Sequence, residues 1–366
     1  MNKNKKILLI SNMYPSKKYP HYGVFIKNIE NELKKNGFII DKCVLKKVDS
    51  NILKLFNYLL FYLKIVGKGL FTNYNCIYGH YITHIYFPLL IIKKIRHNII
   101  IILHVHGNDI IPENKKDEKF IPLAKKALKL SEQIIAPSLY FKNILIKEFH
   151  INESKIFVSP SGGIDSNTFF KKNRKYACNT LNLDANKKYI GYVSRIEINK
   201  GWDIFLDACS RIIKKYDIEI IVVGSGDEET LYNKKVEDLN LKPRIHKYPL
   251  LSQEEIANVF SILNIFCFPT KRKSESLGLV GLEAMACKTV VVGSDSYGPS
   301  SYIINKINGF TFDINSVESL CETIEKVFSM SEDELNKIKQ KAYETSQLYN
   351  SEKVNTKLSE FFKKVI

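Results

Sequence analysis

The chain has 366 residues, room for two domains at about 150 residues each, which excludes a peptide or a single small module. Hydrophobic residues make up 45% and charged residues 25%, the balance of a folded globular chain, so disorder and collagen-like repeats are excluded as well. The formal charge of +17 is lopsided: residues 1–165 carry 26 basic against 12 acidic side chains, residues 166–366 carry 29 against 26.

A general bias toward Lys, Asn and Ile would raise lysine everywhere and does not explain that asymmetry. A basic half joined to a near-neutral one points the first half at an anionic partner: acidic lipid, a lipid diphosphate or nucleic acid. The seven cysteines are scattered, odd in number and without a C-x-x-C pair, so neither a disulfide framework nor a structural zinc site is expected and a reducing cytosol fits.

The start, four apolar residues Ile7–Ile10 behind a basic flank, is shorter than the ~7-residue apolar core of a signal peptide and reads as a buried strand over 6–11. A helix over 23–36 and a strand over 38–45 follow. A long helix is expected over 51–71, where Lys54, Asn57, Lys64 and Lys68 fall in an arc of about 80° and apolar residues cover the rest. Such a helix is expected to be buried against a sheet; the alternative is a helix lying in a bilayer interface with its lysines reaching head groups. Asn73, Asn75, His80, His84 and Pro88 break the uncharged stretch 69–92, so no membrane span is expected. Strands over 75–79, 99–105, 132–136 and 155–158 complete a first strand-helix series.

Residues 159–184, rich in Ser, Gly, Asn and Lys, read as a linker. The alternation restarts with strands over 189–194, 218–223, 244–247, 263–268, 289–292 and 309–312, and helices over 200–215, 228–239, 252–261 and 276–287. Three more helices, about 315–328, 331–344 and 349–365, end the chain. Short Ile/Val/Leu runs alternating with amphipathic helices predict α/β architecture: two doubly wound, Rossmann-like parallel-sheet domains facing each other across a cleft. Ligands of such sheets sit beyond the carboxyl ends of the strands, so the chemistry belongs in loops that follow strands.

Arg195 and Lys200 bracket the loop after the first strand of the second series. Two cations beside a helix start suit a diphosphate, although a solvated surface loop would look the same. Gly224-Ser-Gly226 lacks the third glycine of a dinucleotide fingerprint and says little alone. Eight residues separate Glu275 from Glu283, a rise of ~12 Å on a helix, too far for a hydrolytic acid/base pair at roughly 5 to 9.5 Å. Two acceptors flanking a helix start suit a ligand with hydroxyls at both ends and a diphosphate between them, the layout of a nucleotide-sugar. In the first series, His106 in His104-Val-His106-Gly-Asn-Asp109 follows a strand end, where it can donate a hydrogen bond or serve structure alone. Gly23 opens the first helix, where it can let backbone approach a phosphate.

Taken together these segments resemble the retaining nucleotide-sugar glycosyltransferases of glycosyltransferase family four, which have the GT-B fold. The resemblance runs nearly full length, through Gly23-Val-Phe, His106-Gly-Asn-Asp109, Pro160-Ser-Gly-Gly-Ile-Asp165, Arg195 with Lys200, and Glu275 to Ala286, followed by Gly293-Ser-Asp295 and Gly298-Pro299. It implies that Glu283 accepts hydrogen bonds from the ribose, Arg195 and Lys200 neutralise the diphosphate, and Glu275 holds the sugar's hydroxyls. By the same matching, amides around Gly278, Leu279 and Val280 meet the phosphate and His106 lies beside the donor sugar.

The resemblance assigns residues 1–165, with the helix 349–366 crossing back, to acceptor and membrane, and residues 166–348 to the donor. It implies a hexose passed with retention from a nucleotide-diphosphate sugar, UDP favoured over GDP, to a glycan or lipid-linked glycan in surface polysaccharide synthesis at the inner face of the cytoplasmic membrane. No cofactor is expected. Asp-x-Asp is absent, so no metal is expected either. The rivals are a nucleotide-sugar epimerase on the same fold and a basic nucleic-acid-binding protein; the chain lacks the interleaved aromatic-basic modules of the latter, so no nucleic-acid partner is expected. Pro249 stands near a position where Gly is frequent in the base-contacting loop, which leaves the nucleotide open.

Overall fold

A computed structural model describes residues 5–20 and 22–366. Contacts divide the chain into two compact units, one running to Gly163 and taking up Glu352–Ile366, the other Ile164–Ser351.

In the first unit the strands are β1 (Lys6–Ser11), β2 (Ile39–Val44), β3 (Cys76–His80), β4 (Ile100–His104), β5 (Gln133–Ala136) and β6 (Ile156–Val158). All pairs are parallel and the order is β2-β1-β3-β4-β5-β6. Its helices are α1 (Val24–Lys35), α2 (Asn51–Phe71), α3 (Tyr86–Ile95), α4 (Lys115–Glu118), α5 (Ile121–Leu130) and α6 (Leu139–Lys147). Because strand side chains alternate, β1 sends Leu8 and Ile10 to the face carrying α2, α3 and α5, and Ile7 and Leu9 to the face carrying α1. The last helix of the chain, completing that second face, places Leu358 and Phe362 there.

The second unit holds α7 (Arg174–Thr180), β7 (Lys188–Val193), α8 (Trp202–Ile212), β8 (Ile218–Val223), α9 (Glu229–Asp238), β9 (Ile245–Tyr248), α10 (Gln253–Ile262), β10 (Ile265–Phe268), α11 (Leu279–Ala286), β11 (Val290–Ser294), β12 (Phe310–Phe312), α12 (Val317–Ser329) and α13 (Glu332–Gln347); α14 (Ser351–Val365) is the helix that returns to the first unit. Its sheet runs β12-β11-β10-β7-β8-β9, again all parallel. Counted within the unit this is the 3-2-1-4-5-6 order of a mononucleotide-binding double winding, with the direction reversing between β7 and β10. In the first unit the reversal falls between β1 and β3. The two doubly wound α/β units expected from the sequence are therefore present.

Two expectations need correction. The 159–184 linker is only partly irregular: α7 forms inside it, buries Ala177 and Cys178, and is tied down by Arg174, which donates to the Ala185, Lys187 and Ile262 carbonyls. Polar composition hid it because its buried side consists of a few small residues. The long helix α2, expected to be buried, hides only Phe61, Ile65 and Gly69. One narrow stripe touches the unit, and most of its apolar surface faces outward.

Candidate functional site

In the second unit β7 and β10 are neighbours at the reversal point, and the loops that leave their carboxyl ends are fastened to each other. The Lys271 amide donates to the Asn199 carbonyl at 2.8 Å. Gly201 has φ 76°, and a Cβ there would lie 1.9 Å from the Pro269 carbonyl oxygen, so only glycine permits this approach.

Across this seam Lys200 Nζ donates to Glu275 Oε2 at 2.5 Å, the two side chains being 10% and 13% exposed. Thr270 Oγ1 donates to the same carboxylate oxygen at 3.3 Å. An ammonium has three donors; one is spent on Glu275, and the others remain for oxygens of a ligand. Lys271 is held by Asp203 in the first turn of α8 at 2.9 Å, and Arg195, more than half exposed, pairs with Glu197 at 2.6 Å.

The helix expected from residue 276 begins instead at Leu279. Gly278 adopts φ 77°, interrupting regular helix, and no side chain caps the start; a Cβ at Gly278 would meet the Phe268 ring at 2.5 Å. Glu275 thus sits on a loop, and helical rise does not set its separation from Glu283. The Leu279 and Val280 amides stand in the first turn, where helix geometry provides no acceptor. The Tyr302 hydroxyl donates to the Gly278 carbonyl at 2.8 Å. Gly298 leaves room for the Glu275 carbonyl, which a Cβ would approach to 2.5 Å. Those contacts explain why the Gly-Pro pair follows the glutamate motif.

Glu283, in the second turn of α11, is half-buried and makes no side-chain hydrogen bond among the described residues. Burial pushes its carboxyl up to about 7. An unpartnered acceptor held in this state is a mark of a ligand site.

In the first unit, Gly23 (φ 73°) starts α1 with no space for a Cβ, which would lie 2.8 Å from the Met13 carbonyl carbon. Two residues on, Phe25 packs its ring 4.9 Å from that of His106. His106 belongs to a stack: its ring lies 4.3 Å from His104 and 5.2 Å from His80, at 29° and 16°. His80 Nδ1 and His106 Nε2 are hydrogen-bonded at 2.9 Å, and Tyr78 bonds His104 Nδ1 at 2.8 Å. Burial drives all three imidazoles below their ordinary value, His104 to about 3, so the stack is neutral.

The nitrogens of these three rings lie within 4.8 Å of one another. The His80–His106 bond uses two of the candidate ligand atoms, and Tyr78 engages Nδ1 of the third ring. Asp109 accepts from the His106 and Gly107 amides at 3.0 and 2.8 Å and fixes the loop; burial lifts its carboxyl to about 6 despite those bonds.

The residues singled out in the sequence therefore form two groups. Arg195, Lys200, Glu275, Gly278, Leu279, Val280 and Glu283 lie on the second unit, where Lys200 and Glu275 are in direct contact. Gly23 and His106 lie on the first, linked through Phe25. Sequence reasoning missed His80, which parallel register sets beside His104 from 24 residues away, and it missed Thr270, Glu197 and Asp203 as partners. Only the Asp three residues after His106 carried a local signal, that of a side chain accepting from nearby amides.

Two doubly wound units of this kind define the GT-B class of glycosyltransferases. Residues 28–165 match the family described as Glycosyltransferase Family 4, and residues 176–345 match Glycosyl transferases group 1. The chain belongs to these family-four, group 1 glycosyltransferases. It is 27% identical over 211 residues to the capsular polysaccharide biosynthesis glycosyltransferase CapM of Staphylococcus aureus, covering 57% of this chain and 55% of that one. The chain spans about half the length of the curated relatives it matches. In fold it is similar to sucrose-phosphate synthase from Thermosynechococcus elongatus (TM-score 0.80, 17% identity, 99% of both chains) and to Anabaena Alr3699/HepE in complex with UDP (TM-score 0.75, 16% identity, 98% and 100%).

Proposed function

We propose that this chain transfers a hexose from a nucleotide-diphosphate sugar, UDP favoured, to a glycan or lipid-linked glycan in surface polysaccharide synthesis, working peripherally at the inner face of the cytoplasmic membrane. The observation that carries the reading is the Lys200–Glu275 contact beside the uncapped start of α11, at the reversal point of a mononucleotide-type sheet, with Glu283 unpartnered a turn further on.

The chemistry follows from the charges. The bond from the anomeric carbon to the diphosphate breaks with both electrons staying on the leaving oxygen; Arg195, the spare donors of Lys200 and the Leu279 and Val280 amides take up that developing charge. Arg195 exchanges Glu197 for the phosphate. Glu275, whose Oε2 is engaged by Lys200 and Thr270, offers Oε1 to a sugar hydroxyl, and Glu283 accepts from the ribose. The acceptor oxygen bonds to the anomeric carbon on the face the diphosphate leaves and gives its proton to the departing diphosphate, so configuration is retained without a protein nucleophile. Neutral His106 contributes a hydrogen bond to the donor sugar.

The family match to group 1 glycosyltransferases, the relative named for capsule synthesis and the fold neighbour in complex with UDP support this reading. The test is thermal shift with a panel of nucleoside diphosphates and their sugars. UDP is expected to raise Tm, and Arg195→Ala and Glu283→Ala to remove the response; an unchanged response in both variants refutes the assignment. Inversion at a ring carbon of an otherwise intact nucleotide-sugar would favour the epimerase, and release of free nucleotide only when an acceptor is added argues against it.

A further inference from the structure

The outward face of α2 is a broad apolar surface that the proposed reaction does not use. Its buried residues Phe61, Ile65 and Gly69 recur every fourth position, and Gly69 lets the helix seat on Ile92 of α3. On the opposite side Leu55, Leu59 and Leu63, again four apart, form a ridge flanked by Ile52 and Phe56. All five are exposed, Ile52 to 83% and Leu55 to 76%. Phe87, Ile91 and Ile95 of α3, which packs beside α2, are exposed as well. A soluble surface rarely leaves so much contiguous apolar area in water without a partner.

The charge carried by these two helices is of one sign. From Asn51 to Asn108 the chain has no Asp or Glu, while it carries Lys54, Lys64, Lys68, Lys93, Lys94 and Arg96. Lys68 and Lys93 are paired to Asp41 and Glu132 from outside the stretch; Lys54, Lys64 and Lys94 are exposed and have no carboxylate partner among the described residues. No helix among the described residues is long and apolar enough to cross a membrane.

From the apolar ridge and its cationic border we infer that α2 and the outer side of α3 dock on an anionic lipid bilayer, with α2 lying in the plane of the interface. Leucine and phenylalanine enter the acyl boundary and the unpaired lysines meet head groups. A second copy of the chain fits worse, because a two-fold contact would oppose lysine to lysine with no acidic residue on either helix to relieve it. This inference rests on the membrane-face reading above and names the surface that realises it.

The experiment is co-sedimentation of the full chain with vesicles of phosphatidylcholine alone or with about a third phosphatidylglycerol, at ~0.1 M and ~0.5 M salt. Binding to the anionic vesicles is expected to be at least ~10-fold tighter than to the neutral ones, given roughly fivefold per unpaired lysine near the surface, and to weaken at high salt. Leu55→Glu with Leu59→Glu is expected to abolish binding while leaving Tm and the UDP response unchanged, since both side chains already face solvent. Lys54→Glu with Lys64→Glu should remove the preference for anionic lipid. Wild type that ignores both vesicles, or a Leu55→Glu, Leu59→Glu variant that still binds, overturns the docking surface. So does a wild-type dimer in light scattering that the leucine variant converts to monomer. A wild type that answers to UDP but binds no vesicle removes the docking surface alone, whereas a wild type that binds vesicles without answering to UDP removes the proposed reaction.

Discussion

The two units share a winding rule but not a chemistry. In the first, the rings at the strand ends are neutral: three imidazoles and Tyr78, buried and hydrogen-bonded in pairs, with the Asp109 carboxylate taken up by loop amides. In the second the side chains are charged: a nearly buried Lys200–Glu275 pair, Arg195 with Glu197, and a half-buried Glu283 with no partner among the described residues. The bulk charge runs the other way, for the unit with the neutral site carries most of the excess lysine. On the proposed reading, net charge marks where a surface meets its partner, while local charge in a strand-end loop marks where chemistry is done.

The largest effect should come from cutting the pair in the second unit. Lys200→Ala leaves Glu275 buried without its cation, and we expect a loss of about 3–5 kcal/mol in urea unfolding together with loss of UDP stabilisation. Lys200→Arg should recover much of the stability; equal losses in both variants would mean that the charge is not what matters there.

In the first unit, Glu30 is buried between Lys34, Lys42 and Tyr14 at 2.6, 2.9 and 2.5 Å. Burial alone would raise its carboxyl; the three partners outweigh it and hold it below the ordinary value. A depressed carboxylate stabilises the fold above its unfolded pKa, and that contribution is lost as pH falls through the folded value. Glu30→Gln should cost about 1–3 kcal/mol at pH 7, because its lysines are half-exposed and can return to water. The gap from wild type should narrow toward pH 3; a constant gap would assign the cost to packing instead.

Glu283 offers the opposite sign. Its folded value near 7 lies above the unfolded one, so stability is fullest at low pH and falls as pH rises through 7. Ribose hydroxyls prefer the ionised carboxylate, so UDP affinity should rise by about tenfold from pH 6 to 8, set by the fraction ionised. Glu283→Gln should be more stable than wild type at pH 8 and bind UDP weakly at every pH. Calorimetric titration at three pH values reads both limbs.

The smallest effect belongs to the imidazole stack. Neutral rings with values well below 6.5 should add no acid limb near pH 6.5, and His80→Phe should lower kcat while leaving UDP binding within about twofold. A histidine-like limb that disappears in His80→Phe would show that the stack titrates.

The sequence made the strands and their parallel pairing legible because runs such as Ile7–Ile10 and Ile99–Leu103 are apolar on both faces, as a doubly covered sheet demands. Charged residues in strand-end loops were legible as to position, although Arg195 and Lys200 taken alone read equally well as a solvated surface loop. What stayed hidden depended on register or on small residues. His80 gains meaning only from pairing opposite His104, α7 buries little more than Ala177 and Cys178, and the start of α11 at Leu279 depends on the left-handed turn at Gly278. Periodicity showed that α2 is a helix with one polar stripe, and it could not say which face the unit would cover.

A crystal structure of the full chain soaked with UDP probes the central claim most directly. We expect the diphosphate within hydrogen-bond reach of Lys200, Arg195 and the first amides of α11, with the ribose on Glu283. A diphosphate bound elsewhere, with Lys200 still closed on Glu275 and Glu283 facing only water, would contradict it.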